Sequence, residues 1–267
     1  LSDAFEPNKD SWHSEYTELK SLLTEEEYAA ARSSTLTAFY TPPEVIDAMY
    51  TTLRKMGVGA GTILEPSMGA GAFFGQSHSY LYEPTTRLFG VELDSLTGRI
   101  ARQLYQKANI QITGFEKADL PDSFFDVVIG NVPFGDYSVV DPQYNRLHFK
   151  IHDYFFAKSI DKLRTGGIIA FITTSGTLDK KSEEVRRYIN ARCDFIGAVR
   201  LPDSTFKSAG TKAMADIIFL QKRDRILEQD ASWLHTTQTE DGLSLNSYFA
   251  EHPEMVCGTL KTVSGPY

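Results

Sequence analysis

Phe125-Asp126-Val127-Val128-Ile129-Gly130-Asn131-Val132-Pro133-Phe134 is the stretch from which the fold can be read. Its first part is an apolar, β-branched run of the kind that forms a strand buried in a parallel sheet. Its last four residues set an amide, a proline-stiffened turn and an aromatic ring at the mouth of that strand. The Asn131 carboxamide can accept an N–H of an exocyclic amine. A carbonyl in the turn can accept the second N–H, and Phe134 offers a flat face on which a base can stack. The same four residues also suit a plain strand-ending turn over a buried Phe, and short matches are common, so the rest of the chain has to arbitrate.

Working outward, short apolar runs alternate with helical patterns. Upstream lie Thr62 to Glu65, Leu88 to Glu92 and Ile110 to Thr113; downstream lie Ile168 to Thr173, Asp194 to Arg200 and Asp216 to Gln221. Between them, Val45, Ile46, Met49, Tyr50 and Leu53 mark one amphipathic helix, and Asp94 or Ser95 caps a second that runs to about Lys107. His152 to Leu163 reads as a third, with Tyr154, Phe155 and Phe156 in the core. Asp179 to about Ala191 reads as a fourth. Thr41 reads as an N-cap with Pro42 and Pro43 in the first turn. Strands alternating with helices predict an α/β fold with a doubly wound, seven-stranded, mostly parallel sheet. In such sheets ligands sit at the carboxyl ends of strands near the switch point. Glu65, Glu92, Asp119 and Asn131 all fall at or just past strand ends, so one rim collects the chemistry.

Ahead of this domain, residues 1–35 read as an N-terminal helical extension, in which Thr24 with Glu27 forms a capping box. Residues 36–225 read as the main domain and 226–267 as a C-terminal extension or linker, with a possible helix near Leu245 to Ala250. The net charge of -8 is unfavourable for a nucleic-acid binder. The basic residues are concentrated in 179–225, where Lys180, Lys181, Arg186, Arg187, Arg192, Arg200, Lys207 and Lys212 either face a phosphate backbone or form solvated helix faces. Cys193 and Cys257 lack metal-ligand spacing, which predicts free thiols in a reducing cytoplasm. No apolar run approaches a membrane span and no signal peptide opens the chain. The chain opens at Leu1 and stops at Tyr267 without a closing element, so a fragment of a larger protein is expected. His148 and His152 are four apart, but no third ligand accompanies them, and no metal is expected.

Leu64-Glu65-Pro66-Ser67-Met68-Gly69-Ala70-Gly71-Ala72-Phe73 is not a nicotinamide loop, because Phe74 stands where the third glycine should be. With Phe39-Tyr40-Thr41-Pro42-Pro43 before it and Asn131-Val132-Pro133-Phe134 after it, the set resembles the gamma-type N6-adenine DNA methyltransferases, which use S-adenosylmethionine (SAM). More loosely, the chain resembles the methylase region of helicase-methylase proteins carried by phages and conjugative elements. The resemblance spans about Ala38 to Lys222 and implies the Rossmann-like methyltransferase fold. It implies that Tyr40 and Thr41 close over the methionine end of SAM. Glu65, Pro66, Ser67, Gly69 and Gly71 would form the cofactor loop, Glu92 would take the ribose hydroxyls, and Asp119 would accept from the SAM adenine. It further implies that Phe134 stacks on a flipped adenine while Asn131 and the Val132 carbonyl accept its amine hydrogens, with Pro133 stiffening the turn and no metal required.

Val132 stands where the family usually has proline, which leaves the carbonyl and removes the locked φ. On that reading Val132→Pro should preserve or raise activity. Phe206 is the aromatic available as a second wall for the base. Two other readings share the motif: methylation of RNA or protein glutamine, and a SAM-binding module without catalysis inside a larger DNA-processing protein. The implied partner is DNA, with further domains of a longer chain supplying target recognition, in a bacterial or phage restriction-modification setting.

Overall fold

The computed structural model describes residues 2–37, 41–59, 61–80, 85–206, 214–239 and 242–260. Helices α1 (His13–Leu22) and α2 (Glu25–Thr37) open the chain. The expected capping box is present: the Glu27 N–H donates to Thr24 Oγ1 at 3.2 Å, and the Thr24 N–H donates to Glu27 Oε2 at 3.0 Å. These helices build a satellite cluster around Ala4, Phe5 and Tyr28.

The main domain follows as α3 (Pro43–Lys55), β1 (Thr62–Glu65), α4 (Ala72–Tyr80), β2 (Arg87–Glu92), α5 (Ser95–Leu104) and β3 (Asn109–Ile112). Next come β4 (Phe125–Asn131), α6 (Ile151–Lys162), β5 (Leu163–Thr174), α7 (Gly176–Asp179), α8 (Glu184–Asn190), β6 (Cys193–Leu201) and β7 (Ala215–Lys222). The seven strands lie in the order β3-β2-β1-β4-β5-β7-β6. All neighbouring pairs from β3 across to β5 are parallel, and β7 runs antiparallel to both β5 and β6. This is the expected doubly wound, mostly parallel sheet.

The strands are apolar on both faces, and that is why helices cover both. Leu64, Val128, Ile169, Phe171 and Leu220 point into one cluster with α6 and α8. Ile63, Val127, Ile129, Ala170 and Ile217 point into the other with α3 and α4. The strand order reverses between β1 and β4, which are neighbours in space with β2 and β3 between them in sequence. This is the switch point, and Glu65 and Asn131 end the two strands that flank it.

Two expectations about helix starts need correction. Thr41 does not cap α3: Pro42 holds the cap position, with no side-chain hydrogen bond, and Pro43 takes the first turn. Asp179 ends α7 and does not start a helix; the helix that follows is α8, with Glu183 at its cap position. The Asp179 carboxylate is already committed, to Arg200 Nη1 at 2.7 Å and to the Asn246 N–H at 2.9 Å.

After β7 the chain forms a 3₁₀ turn (Ser232–Leu234), the hairpin β8 (Thr236–Gln238) and β9 (Ser244–Asn246), and α9 (Ser247–Glu251). Trp233, Leu234, Leu245 and Phe249 from this segment are buried in the cluster that α6 and α8 also fill. Its end lies along the outer edge of β6, where the Cys257 N–H donates to the Arg200 carbonyl.

Candidate cofactor and catalytic site

The glycine loop is shaped by three close approaches. The Met68 N–H donates to the Val91 carbonyl at 2.9 Å, seating the loop on β2. That seat exists because residue 90 is glycine; a Cβ there would strike the Met68 sulfur. Gly71 has φ +87° and lies under the Tyr105 ring, whose hydroxyl donates to the Gly71 carbonyl at 2.7 Å. An L side chain at Gly71 would carry both the left-handed backbone cost and the collision with that ring.

Two carboxyls face this loop. Glu92 accepts from the Gly69 N–H and from the Asp94 N–H, each at 2.7 Å. Burial raises its pKa, with those two N–H groups opposing. Glu65, at the end of β1, is only 2% exposed. Burial, reinforced by nearby Glu92, pushes its pKa well up. Its Oε2 is buried and meets no hydrogen-bond donor among the described residues. Burial without a paired cation favours the neutral carboxyl, and its second oxygen remains an acceptor without a donor among the described residues.

Asn131 ends β4 and faces this loop. The Ser67 hydroxyl donates to the Asn131 carbonyl at 2.9 Å, and Asn131 Nδ2 donates to Thr41 Oγ1 at 3.2 Å. Three sequence motifs distant in the chain are thereby joined by two hydrogen bonds. Pro66 is buried at the base of the loop, and Pro133 and Phe134 are half-buried beside it. Phe134 packs against both hydrophobic clusters. Asp119 lies past β3 and is exposed; its backbone N–H and C=O are both held by the Gln111 side chain, at 2.9 and 2.7 Å. Tyr40, with Phe39, lies outside the described residues.

Val132 does more than present a carbonyl. Its N–H donates to the Ile172 carbonyl at 3.0 Å, extending the β4–β5 ladder, and its side chain is 1% exposed. Proline has no N–H to give, so the reading that Val132 only presents a carbonyl is corrected: Val132→Pro would give up this ladder bond. Phe206 is fully buried and cannot serve as an open base wall. Arg186 and Arg200, counted among the bases that could face phosphate, are buried as well. His148 is exposed in a left-handed turn, whereas His152 is buried in α6, so the two do not share a helix face. Among the described residues no group of three or more His, Cys, Asp or Glu could hold a metal ion, and no helix is long and apolar enough to cross a membrane. The Ser67–Asn131 and Thr41–Asn131 links carried no sequence signal, because they join residues 64 and 90 apart.

The chain belongs to the N-6 DNA Methylase family, whose model matches residues 22–244. The fold is that of SAM-dependent methyltransferases, and the cofactor is SAM. A relative is the Defense against restriction protein B of Escherichia phage P1, 27% identical over 208 residues, covering 76% of this chain and 9% of that protein. The chain spans less than half the length of the curated relatives it matches. Among solved structures, the type I restriction-modification methyltransferase subunit of Streptococcus thermophilus superposes with a TM-score of 0.59 at 17% identity, covering 91% of this chain and 60% of that one. A Listeria monocytogenes protein described as a class I SAM-dependent methyltransferase superposes at 0.55 and 17% identity, covering 84% of this chain and 78% of that one.

The residues present suit this cofactor. SAM carries an ammonium and a sulfonium, and the open acceptor of Glu65 lies in a buried carboxyl at the glycine loop. The left-handed Gly69 and Gly71 provide the close backbone approach.

Proposed function

We propose that this chain transfers a methyl group from SAM to the exocyclic N6 amine of adenine in DNA. One observation carries the reading: Asn131 ends the strand at the switch point with its main chain bonded to Ser67 of the cofactor loop at 2.9 Å. That contact ties the candidate amine acceptor to the candidate methyl-donor site. SAM, when bound, supplies an electrophilic methyl group. Thr41, Ser67 and the Gly69–Gly71 loop would hold the methionine moiety, Glu92 the ribose hydroxyls and Asp119 the cofactor adenine.

The chain's own residues then have a positioning task. The target adenine must leave the duplex, since its N6 is unreachable in the stack. Phe134 stacks on it. The Asn131 carboxamide oxygen and the Val132 carbonyl accept the two amine hydrogens, which directs the nitrogen lone pair toward the cofactor. Orientation of this kind supplies roughly 7–11 kcal/mol where the reacting groups are well aligned.

Target recognition comes from elsewhere. The burial of Arg186 and Arg200 leaves less basic surface than their number suggests, and the net charge is -8. The phage relative is far longer than this chain, in keeping with further domains that bind DNA. The setting is a bacterial or phage cytoplasm, on a mobile element or in a restriction-modification system.

Single-turnover transfer from labelled SAM to an adenine-containing duplex tests the reading. Asn131→Ala should lower the rate by ~10²–10³, the loss typical of a preorganised acceptor at developing charge, with SAM affinity little changed. An Asn131→Ala protein that methylates as fast as the parent removes Asn131 from the mechanism. SAM binding without any transfer to DNA favours a non-catalytic module or another substrate.

A further inference from the structure

We propose that Tyr105 is a positioning residue for SAM, clamping the glycine loop to α5 in the shape that receives the cofactor. The inference rests on the reading above that this loop holds SAM, and is independent of which amine is methylated. Three hydrogen bonds reach the loop from the β2–α5 unit. The Val91 carbonyl accepts from the Met68 N–H at 2.9 Å, and Glu92 Oε2 accepts from the Gly69 N–H at 2.7 Å. The third is the bond from the Tyr105 hydroxyl to the Gly71 carbonyl, at 2.7 Å. The first two act at the end of β2. Tyr105 acts from the C-cap position of α5, so the loop is gripped at both of its ends.

The loop needs that second grip. Gly69 and Gly71 have φ of +54° and +87°, and glycine leaves such conformations for others at little cost. The Gly71 carbonyl also accepts from the Gly75 N–H at 3.1 Å, in the first turn of α4. That bond ties the loop to α4 alone; the Tyr105 hydroxyl ties the same carbonyl to α5. The Tyr105 ring lies against Gly71 and meets the buried Phe74 ring edge-on, with centroids 5.5 Å apart. The base of the clamp is firm. Asp94 caps α5 by accepting from the Thr97 N–H at 2.7 Å, Gly98 and Ala101 are buried, and Arg102 Nη2 donates to the Ile110 carbonyl at 2.8 Å. A loop ordered before its ligand arrives spares the ligand that ordering cost, and the saving appears as affinity.

The test measures SAM binding to the full chain by calorimetry, with unfolding midpoints read in parallel. Tyr105→Phe keeps the ring and removes the hydroxyl, and should weaken SAM binding roughly 2- to 10-fold, the value of one neutral hydrogen bond. Gly75→Ala approaches the same hydroxyl from the other side, because the added Cβ would lie 3.2 Å from it. Alanine favours the helix more than glycine does, so the unfolding midpoint should not fall while SAM binding weakens. A general loss of structure would lower both. The effect of Gly75→Ala on SAM should vanish in a Tyr105→Phe background. Gly69→Asn tests the loop itself: Asn tolerates left-handed backbone, and a Cβ at Gly69 meets nothing within 4 Å among the described residues. If the loop holds SAM, this variant should bind it at least tenfold more weakly. Parental affinity in Tyr105→Phe, with Gly69→Asn impaired, overturns the role of Tyr105 and leaves the loop assignment standing. Parental affinity in Gly69→Asn overturns the loop assignment and the inference together. A Gly75→Ala loss that persists in the Tyr105→Phe background also overturns the inference, because it does not pass through the hydroxyl. A parent that binds SAM without methylating DNA defeats the proposed methyl acceptor, and the binding measurements still decide the role of Tyr105.

Discussion

Glu65 and Asp216 are both buried carboxyls near the same rim of the sheet, one in its β1–β2–β3 half and one in its β5–β7–β6 half. Glu65 is 2% exposed and has an open oxygen; Asp216 is fully buried and has none. Both Asp216 oxygens accept from Arg200, through Nε and Nη2, each at 2.8 Å. Arg200 also reaches Asp179 at 2.7 Å and lies over the Phe249 ring. Burial pushes Asp216 up to about 6, against the pull of Arg200. Burial pushes Glu65 well up too, but there the neighbouring charge is Glu92, which adds to the rise. The halves thus spend buried charge differently. The β6–β7 half closes its network internally and ties down the C-terminal segment. The β1–β2 half leaves the Glu65 carboxyl without a paired cation among the described residues, at a cost to its own stability.

The largest expected effect breaks the closed half. Arg200→Leu strands Asp216 and Asp179 beside buried apolar surface, and should cost ~3–5 kcal/mol by urea denaturation while SAM affinity holds. If Arg200→Leu with Asp216→Leu is no more stable than Arg200→Leu alone, the loss does not come from uncompensated charge.

The seam between the halves comes next. Val132→Pro deletes the N–H that pairs with Ile172 and leaves a buried carbonyl unmet, so stability should fall by ~1–3 kcal/mol. An unchanged unfolding midpoint would show that the turn can take up proline without parting β4 from β5.

Glu65→Gln should have the smallest effect and the opposite sign. A carboxyl whose folded pKa is raised binds a proton more tightly folded than unfolded, so its contribution to stability is complete at low pH. That contribution is lost as pH rises out of the ordinary carboxyl range. Glutamine removes this loss. The variant should match the parent near pH 5 and exceed it near pH 8 by on the order of 1 kcal/mol, read as a rise in Tm of about 2–4 °C. SAM should bind the variant more weakly. A Glu65→Gln protein that is less stable at pH 8 would show that the carboxylate has a partner, and the contrast with Asp216 would collapse.

Much of this was legible in the chain itself. The β-branched runs ending in Glu65, Glu92 and Asn131 placed three strands and the rim they share, because a strand buried on both faces must be apolar throughout. The Thr24–Glu27 capping box was also readable, since its partners are three residues apart. Local pattern was sufficient for these because the interactions are local or periodic.

What the tertiary structure alone decided lies at longer range. Thr41 looked like a cap and is bonded to Asn131; Asp179 looked like a helix start and is claimed by Arg200 and Asn246. Arg186 and Arg200 looked like surface bases and are buried, and Phe206 looked like an open aromatic and is core. A side chain with several possible partners is assigned by whichever neighbour folding delivers to it. That delivery depends on strand order and helix packing, which no window of sequence around the residue contains.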